Sequence, residues 1–220
     1  MTSITTDKTY TFEDYLKYDD GTDNHYELVN GQLEIINPPT IRHLLIADFI
    51  RDTLKAEISR INSPWLCLKE AGVRTSPRKS RLMDVCVVSR EKVVELLDES
   101  AVFQTPPLLV VEVVSPESVN RDYRYKRTEY AAAEIPEYWI VDPMLNKISV
   151  LRLDEGLYEE TVLTDNQQIV SQVFPELRLN IGDIFAAGNI VGWSDRETQH
   201  SRLGWGWLSF CGVSWVHITY

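Results

Sequence analysis

Leu108-Leu109-Val110-Val111-Glu112-Val113-Val114 is a run of seven residues, six of them Leu or Val, bracketed by Pro106-Pro107 and by Pro116. A short β-branched run between prolines reads as a strand. It is apolar on both faces, so it belongs in the middle of a sheet covered on both sides. Glu112 is the exception within it. A carboxylate buried without a partner costs several kcal/mol, so Glu112 is expected to be paired, protonated or bound to a cation.

Working outward, Met83-Asp84-Val85-Cys86-Val87-Val88 is a second apolar run with a single acid, and Trp65–Leu68 is a third. Tyr138-Trp139-Ile140-Val141 reads as a further strand, closed by Asp142-Pro143. Lys147–Leu153 and Tyr158–Leu163 read as a hairpin, and Phe174 to Phe185 as a terminal strand and turn of helix. Toward the N-terminus, Tyr26–Val29 and Gln32–Ile36 flank Asn30-Gly31, the pair that supplies both positive φ values of a type I′ turn. Thr11 with Glu13 and Asp14 starts a short helix running to about Tyr18. Leu45, Phe49, Leu54 and Ile58 mark one face of an amphipathic helix over Ile41–Ile61. Glu91–Leu97 and Asn120 to Ala133 are also expected to be helical. Helices interleaved with strands make an α/β domain over residues 10–186.

Composition narrows the function. Three cysteines, Cys67, Cys86 and Cys211, cannot all pair, and none sits in a CxxC motif, which excludes a disulfide scaffold and a structural zinc module. The first residues lack a basic stretch followed by an apolar one, so no signal peptide is expected and the chain reads as cytoplasmic. Residues 187–220 form a Trp- and Gly-rich extension; Leu203–Tyr220 carries no Asp, Glu, Lys or Arg, yet is too polar for a membrane span. Thirty-three acidic against 22 basic residues give −11, a field that does not steer nucleic acid to the surface. Two local clusters run against it: Arg74, Arg78, Lys79 and Arg81, and then Arg121, Arg124, Lys126 and Arg127. Each is either a solvated face or a phosphate contact. Acidic residues gathered at a cation are the other route by which a negative protein engages phosphates, because the metal inverts the local sign.

Asp84 and Glu112 lie on successive strands. Neighbouring strands run about 4.8 Å apart, so the two carboxylates can reach one cation. Asp122, Lys126 and Tyr130 follow at i, i+4 and i+8, one face of a helix. On a solvent face that spacing is an ordinary ion pair. Turned inward, Lys126 beside a carboxylate–metal pair would hold a water or stabilise developing negative charge.

Met83-Asp84 followed by Glu112-Val113-Val114 and a lysine close behind resembles the PD-(D/E)xK nuclease core. The wider pattern resembles the Uma2 family of restriction-endonuclease-like proteins. The matching pieces occur in family order: Tyr26–Gly31, Pro38-Pro39 to Arg42-His43, Arg81–Val85, Leu109–Pro116, Asp122 with Lys126 and Tyr130, and Glu137–Pro143. The resemblance implies a restriction-endonuclease-like core, a mixed central sheet flanked by helices, with β-hairpins at its N- and C-terminal ends. It implies a metal-dependent endonuclease acting on DNA, working as a homodimer so that two sites cut two strands. Asp84 and Glu112 would bind Mg²⁺ or Mn²⁺ with the Val113 carbonyl, and Glu27 would add a ligand. Lys126 would be the third catalytic residue, because Val114 stands where the (D/E)xK lysine is expected. His43, Arg81, Ser115, Asp122 and Tyr130 would face the substrate. The first acid follows Met83 rather than proline, which changes backbone stiffness and keeps the chemistry. Two alternatives stay open: an inactive nuclease-fold binding or assembly module, and a metal enzyme with a non-nucleic-acid substrate, which the −11 charge would suit. A hydrolase triad is set aside, since no G-x-S-x-G elbow is present.

Overall fold

A computed structural model describes residues 8–189, so the tail from residue 190 on lies outside the described residues. Helix α1 (Phe12–Leu16) begins at a capping box in which Thr11 and Asp14 each satisfy the other's backbone N–H. The hairpin β1 (Tyr26–Val29) and β2 (Gln32–Ile35) turns at Asn30 and Gly31, with φ of 52° and 81°. Helix α2 (Ile41–Arg60) is capped by Thr40. Its buried stripe is Ile46, Ile50, Leu54 and Ile58, one residue round from the expected Leu45 and Phe49, which flank the core half-buried.

Strands β3 (Trp65–Ser76) and β4 (Lys79–Ser89) form a hairpin much longer than the apolar runs suggested. The polar residues between those runs pair in the ladder because other side chains neutralise them. After α3 (Arg90–Val94), β5 (Val102–Phe103) and β6 (Leu109–Val113) come a six-residue π-helical segment, Arg121–Lys126, and α4 (Arg127–Ala132). The expected single helix over 120–133 is therefore two geometries in series. Strands β7 (Glu137–Asp142), β8 (Lys147–Asp154) and β9 (Leu157–Thr164) follow, then α5 (Ile181–Ala187). The expected strand after Phe174 is reduced to an isolated bridge between Gln168 and Asn180.

The sheet is mixed. Its order is β2-β1-β4-β6-β7-β8-β9, with β3 on β4 and β5 on β3. Pairs β6–β7 and β3–β5 are parallel and the others antiparallel. Every residue of β6 and β7 is buried, as strands covered on both faces must be. One face packs Val85, Val87, Val111 and Trp139 beneath α2 and α5; the other packs Cys86, Val110, Tyr138 and Ile140 beneath α4. Trp139 gives its indole N–H to Glu137, whose other oxygen takes the amides of Gln172 and Val173 and so ties that segment to the sheet.

The alternation of β4 breaks at Asp84. Before it, Met83 joins the α4-side core; after it, Val85 joins the α2-side core, where strict alternation would have put it with Met83's own face. On β3, Lys69 pairs with Val85 and Ala71 with Met83; Glu70 between them has φ of 57° and Asp84 lies across from it. The kink turns Asp84 toward the end of β6. That irregularity sets Asp84 against the Val113 amide.

Candidate active site

Asp84 is anchored from two directions. The amide of Val113 donates to its Oδ2 at 2.7 Å, and His43 Nε2 lies 3.2 Å from its Oδ1. His43 comes from the first turn of α2, where its own amide donates to the Thr40 cap. Enclosure works against the Asp84 charge, but the His43 contact, Lys126 and the Val113 amide outweigh it and hold the carboxyl below the usual range. Asp84 is ionised, with its side chain 26% exposed to the cleft.

Glu112 lies deeper, at 2% exposure. Tyr130 donates its hydroxyl to Oε1 at 2.6 Å, and Lys126 Nζ lies 2.8 Å from Oε2. Burial, joined by repulsion from Asp84 and Asp122, pushes its carboxyl up to about 8 despite the attraction of Lys126. Lys126 is 3% exposed and also donates to the Leu82 carbonyl at 2.8 Å. Burial opposes its charge, but Glu112, Glu27, Asp122 and Asp84 together raise its pKa above the ordinary lysine value. It is an ammonium at neutral pH.

Behind these lies a second layer of buried charge. Arg81, 2% exposed, donates to Glu27 at 2.8 Å and grips Glu129 of α4 through two nitrogens at 2.7 and 2.9 Å. Glu27 also accepts the Leu82 amide at 3.0 Å and stands 3.7 Å from Lys126. Asp122 accepts a very short hydrogen bond from Ser118, while its Oδ1, buried, has no hydrogen-bond partner. Burial raises its pKa.

A cleft of about 760 Å³ opens over this assembly, between α2, the end of β6 and the π-helical segment. Of the anticipated residues, Asp84, Glu112, Lys126, Val113, Glu27, His43, Ser115 and Asp122 line it. Arg81 and Tyr130 do not. The expectation that they face substrate fails for one reason: each is fully packed behind an acid, with its donors spent on Glu27 and Glu129 or on Glu112. Three of the four members of the first basic cluster are engaged elsewhere, Arg74 stacking on Phe12 and Lys79 joining Arg81 on Glu129, while Arg78 is exposed outside the cleft. Cleft residues that the sequence did not nominate include Glu70 and Lys69, while Arg121 stood only in a basic cluster, as a solvated face or a phosphate contact. Glu70 carried no signal, and Arg121 is turned inward only by the π-helical geometry.

In the cleft, acidic residues outnumber Lys and Arg seven to three, so a phosphate ester entering it needs a cation for charge balance. Among the described residues no three His, Cys, Asp or Glu side chains are arranged to hold a metal ion. Mg²⁺ and Mn²⁺ sites of the phosphoryl-transfer kind need only one or two carboxylates, with water and substrate oxygens filling the shell. Asp84 and Glu112 fit that donor set. Glu27 fits less well, because at 1% exposure it is the counter-ion of the buried Arg81 guanidinium, 2.8 Å away, and also accepts the Leu82 amide. Among the described residues no helix is long and apolar enough to cross a membrane.

Comparison with known proteins bears on this arrangement. A search of curated sequences finds no match. Among solved structures, a protein described as "a putative nuclease belonging to DUF820 from Anabaena variabilis" superposes with TM-score 0.68 at 18% identity, over 81% of this chain and 99% of its own. It shares the fold. The type IIG restriction endonuclease BpuSI aligns at TM-score 0.34 and 13% identity, over 76% of this chain and 19% of its own, too loosely to carry an argument. Residues 12–182 match the family model described as "Uma2: Putative restriction endonuclease", and the chain belongs to that family.

Proposed function

We propose that this chain is a metal-dependent endonuclease that hydrolyses phosphodiester bonds in DNA, with Mg²⁺ or Mn²⁺ held by Asp84 and Glu112. The observation that carries the proposal is Lys126 Nζ at 2.8 Å from Glu112, in a cleft that Asp84 enters from the neighbouring strand. The bound cation supplies polarisation of the phosphoryl group and a lowered pKa for water. Each residue then has a distinct task. Asp84 is held ionised and ready by Val113 and His43. Glu112, held by Tyr130 and Lys126, would supply the second carboxylate, with a neighbouring positive charge favouring its ionised form. Lys126 stays protonated, so it is no base; it stabilises negative charge developing on the phosphate. His43 lines the cleft with Nε2 on Asp84 and a buried Nδ1 that has no hydrogen-bond partner among the described residues; its ring is the candidate to contact phosphate or exchange a proton. Ser115 and Asp122 line the substrate side. Cleavage of both strands calls for two such sites, which a homodimer supplies.

The test is cleavage of supercoiled plasmid with Mg²⁺ or Mn²⁺, alongside calorimetric Mn²⁺ titration, for the wild type, Asp84→Asn and Glu112→Gln. Nicking and Mn²⁺ binding that both disappear in the variants support the reading. A wild type that neither cleaves nor binds Mn²⁺, even with duplex present, overturns it. The −11 charge and the acid-lined cleft favour a second reading, an inactive module of the same fold. Duplex binding without metal binding would select it.

A further inference from the structure

The geometry points to Arg121 as a phosphate-binding residue of the cleft, gripping the backbone of the bound strand beside the group that is cut. This deepens the nuclease reading and rests on it. Three observations carry it.

The first is placement. In an α-helix, residues five apart diverge by about 140°, so Arg121 and Lys126 would face different directions. The segment Arg121–Lys126 is instead π-helical, and there i and i+5 are hydrogen-bonded neighbours on nearly the same side. Arg121, Asp122 and Lys126 consequently all reach one cleft.

The second is availability. Lys69, Arg121 and Lys126 are the Lys and Arg residues lining the cleft. Lys69 is held by Asp48 at 2.8 Å, and Lys126 by Glu112 and the Leu82 carbonyl. The Arg121 side chain makes no hydrogen bond among the described residues. Its Nε is buried without a hydrogen-bond partner, and its nearest acid, Asp122 Oδ1, lies at 3.7 Å, too far for one. The Arg121 side chain is 34% exposed, so the guanidinium is reachable from the cleft.

The third is chemistry. A guanidinium presents donors in a rigid fork that matches the oxygens of a phosphate, where an ammonium offers a point charge. In a cleft this rich in acids, Arg121 is the one lining Lys or Arg side chain whose donors are all uncommitted to a hydrogen bond among the described residues.

The experiment is fluorescence anisotropy of a labelled DNA duplex with Ca²⁺ replacing Mg²⁺, over a series of salt concentrations. The proteins are the wild type, Arg121→Ala, Arg121→Lys and Arg178→Ala, the last an exposed arginine outside the cleft. Arg121→Ala is expected to weaken binding about tenfold or more and to flatten the slope of log Kd against log salt by about one. Arg121→Lys should keep the slope while losing much of the affinity, and Arg178→Ala should match the wild type. Arg121→Ala binding within twofold of the wild type, at unchanged slope, overturns the inference and leaves the nuclease reading standing. An equal loss in Arg178→Ala also overturns it, since the effect is then general charge. A wild type that neither binds nor cleaves duplex removes the nuclease reading and this inference with it. Arg121→Lys keeps the test decisive if the alanine variant is poorly folded.

Discussion

The Tyr130 hydroxyl lies 2.6 Å from Glu112 Oε1, so the deepest carboxyl of the site rests on a phenol that is itself fully buried. Burial raises the Tyr130 pKa well above the ordinary value, and it remains a donor at any working pH. Tyr130→Phe removes that donor and leaves a buried acceptor unmet. The expected loss is about 1–3 kcal/mol of unfolding free energy, read from urea melts. An unchanged midpoint would show that the contact does not support the site.

Glu112 also sets a pH dependence. Its pKa rises from 4.5 to about 8 on folding, so the folded protein holds this proton more tightly than the unfolded chain does. The resulting stabilisation is complete below pH 4.5 and is lost as pH rises through about 8, by about 1.4 kcal/mol per unit at the steepest. In EDTA, the thermal midpoint should fall between pH 5 and 8.5, and Glu112→Gln should flatten that limb. A wild-type curve that rises over this range contradicts the assignment.

Lys126→Met separates metal binding from turnover. Removing the ammonium frees Glu112 Oε2, so Mn²⁺ should bind as tightly as in the wild type or more so. Plasmid cleavage should fall about a hundredfold or more, the scale of losing one charge stabiliser. Parallel loss of Mn²⁺ affinity would make Lys126 a scaffold residue only.

Arg81→Met tests the buried layer. It removes the guanidinium within 3 Å of both Glu27 and Glu129, leaving Glu129 to Lys79 and Glu27 without its nearest cation, at a cost of about 3–5 kcal/mol. Arg81→Lys should recover only part, because one ammonium cannot reproduce contacts to both acids. Equal stability of Arg81→Lys and the wild type would refute the two-sided grip.

Much of the fold was legible in the sequence for plain reasons. Leu109–Val113 announced a central strand through its uniform apolarity, and Asn30-Gly31 announced its turn. Asp84, Glu112 and Lys126 stood out as charges in places where charge is costly, and the structure brings all three to one cleft. What could not be read was partnership at a distance. Arg81 looked like one of a basic cluster; its partners lie 54 residues back and 48 residues on. The extra length of β3 and β4 was hidden by the same pairing. The π-helical segment has no composition of its own, so Asp122, Lys126 and Tyr130 were placed by α-helical spacing and Arg121 only in a basic cluster, with no direction assigned to it.

The buried charges form one alternating thread: Glu129, Arg81, Glu27, Lys126, Glu112. It passes through α4, β4, β1, the π-helical segment and β6, five elements scattered over a hundred residues. Of these elements only β6 and the π-helical segment, which supply Glu112 and Lys126, are both neighbours in chain order and consecutive in the thread. Assembly is therefore interlocked: the small N-terminal hairpin, which pairs with β4 at Leu28 and Ser80, contributes the acid that joins both buried cations. A chain shortened past Glu27 would keep Asp84 and Glu112 in its sequence and lose the acid that joins Arg81 to Lys126.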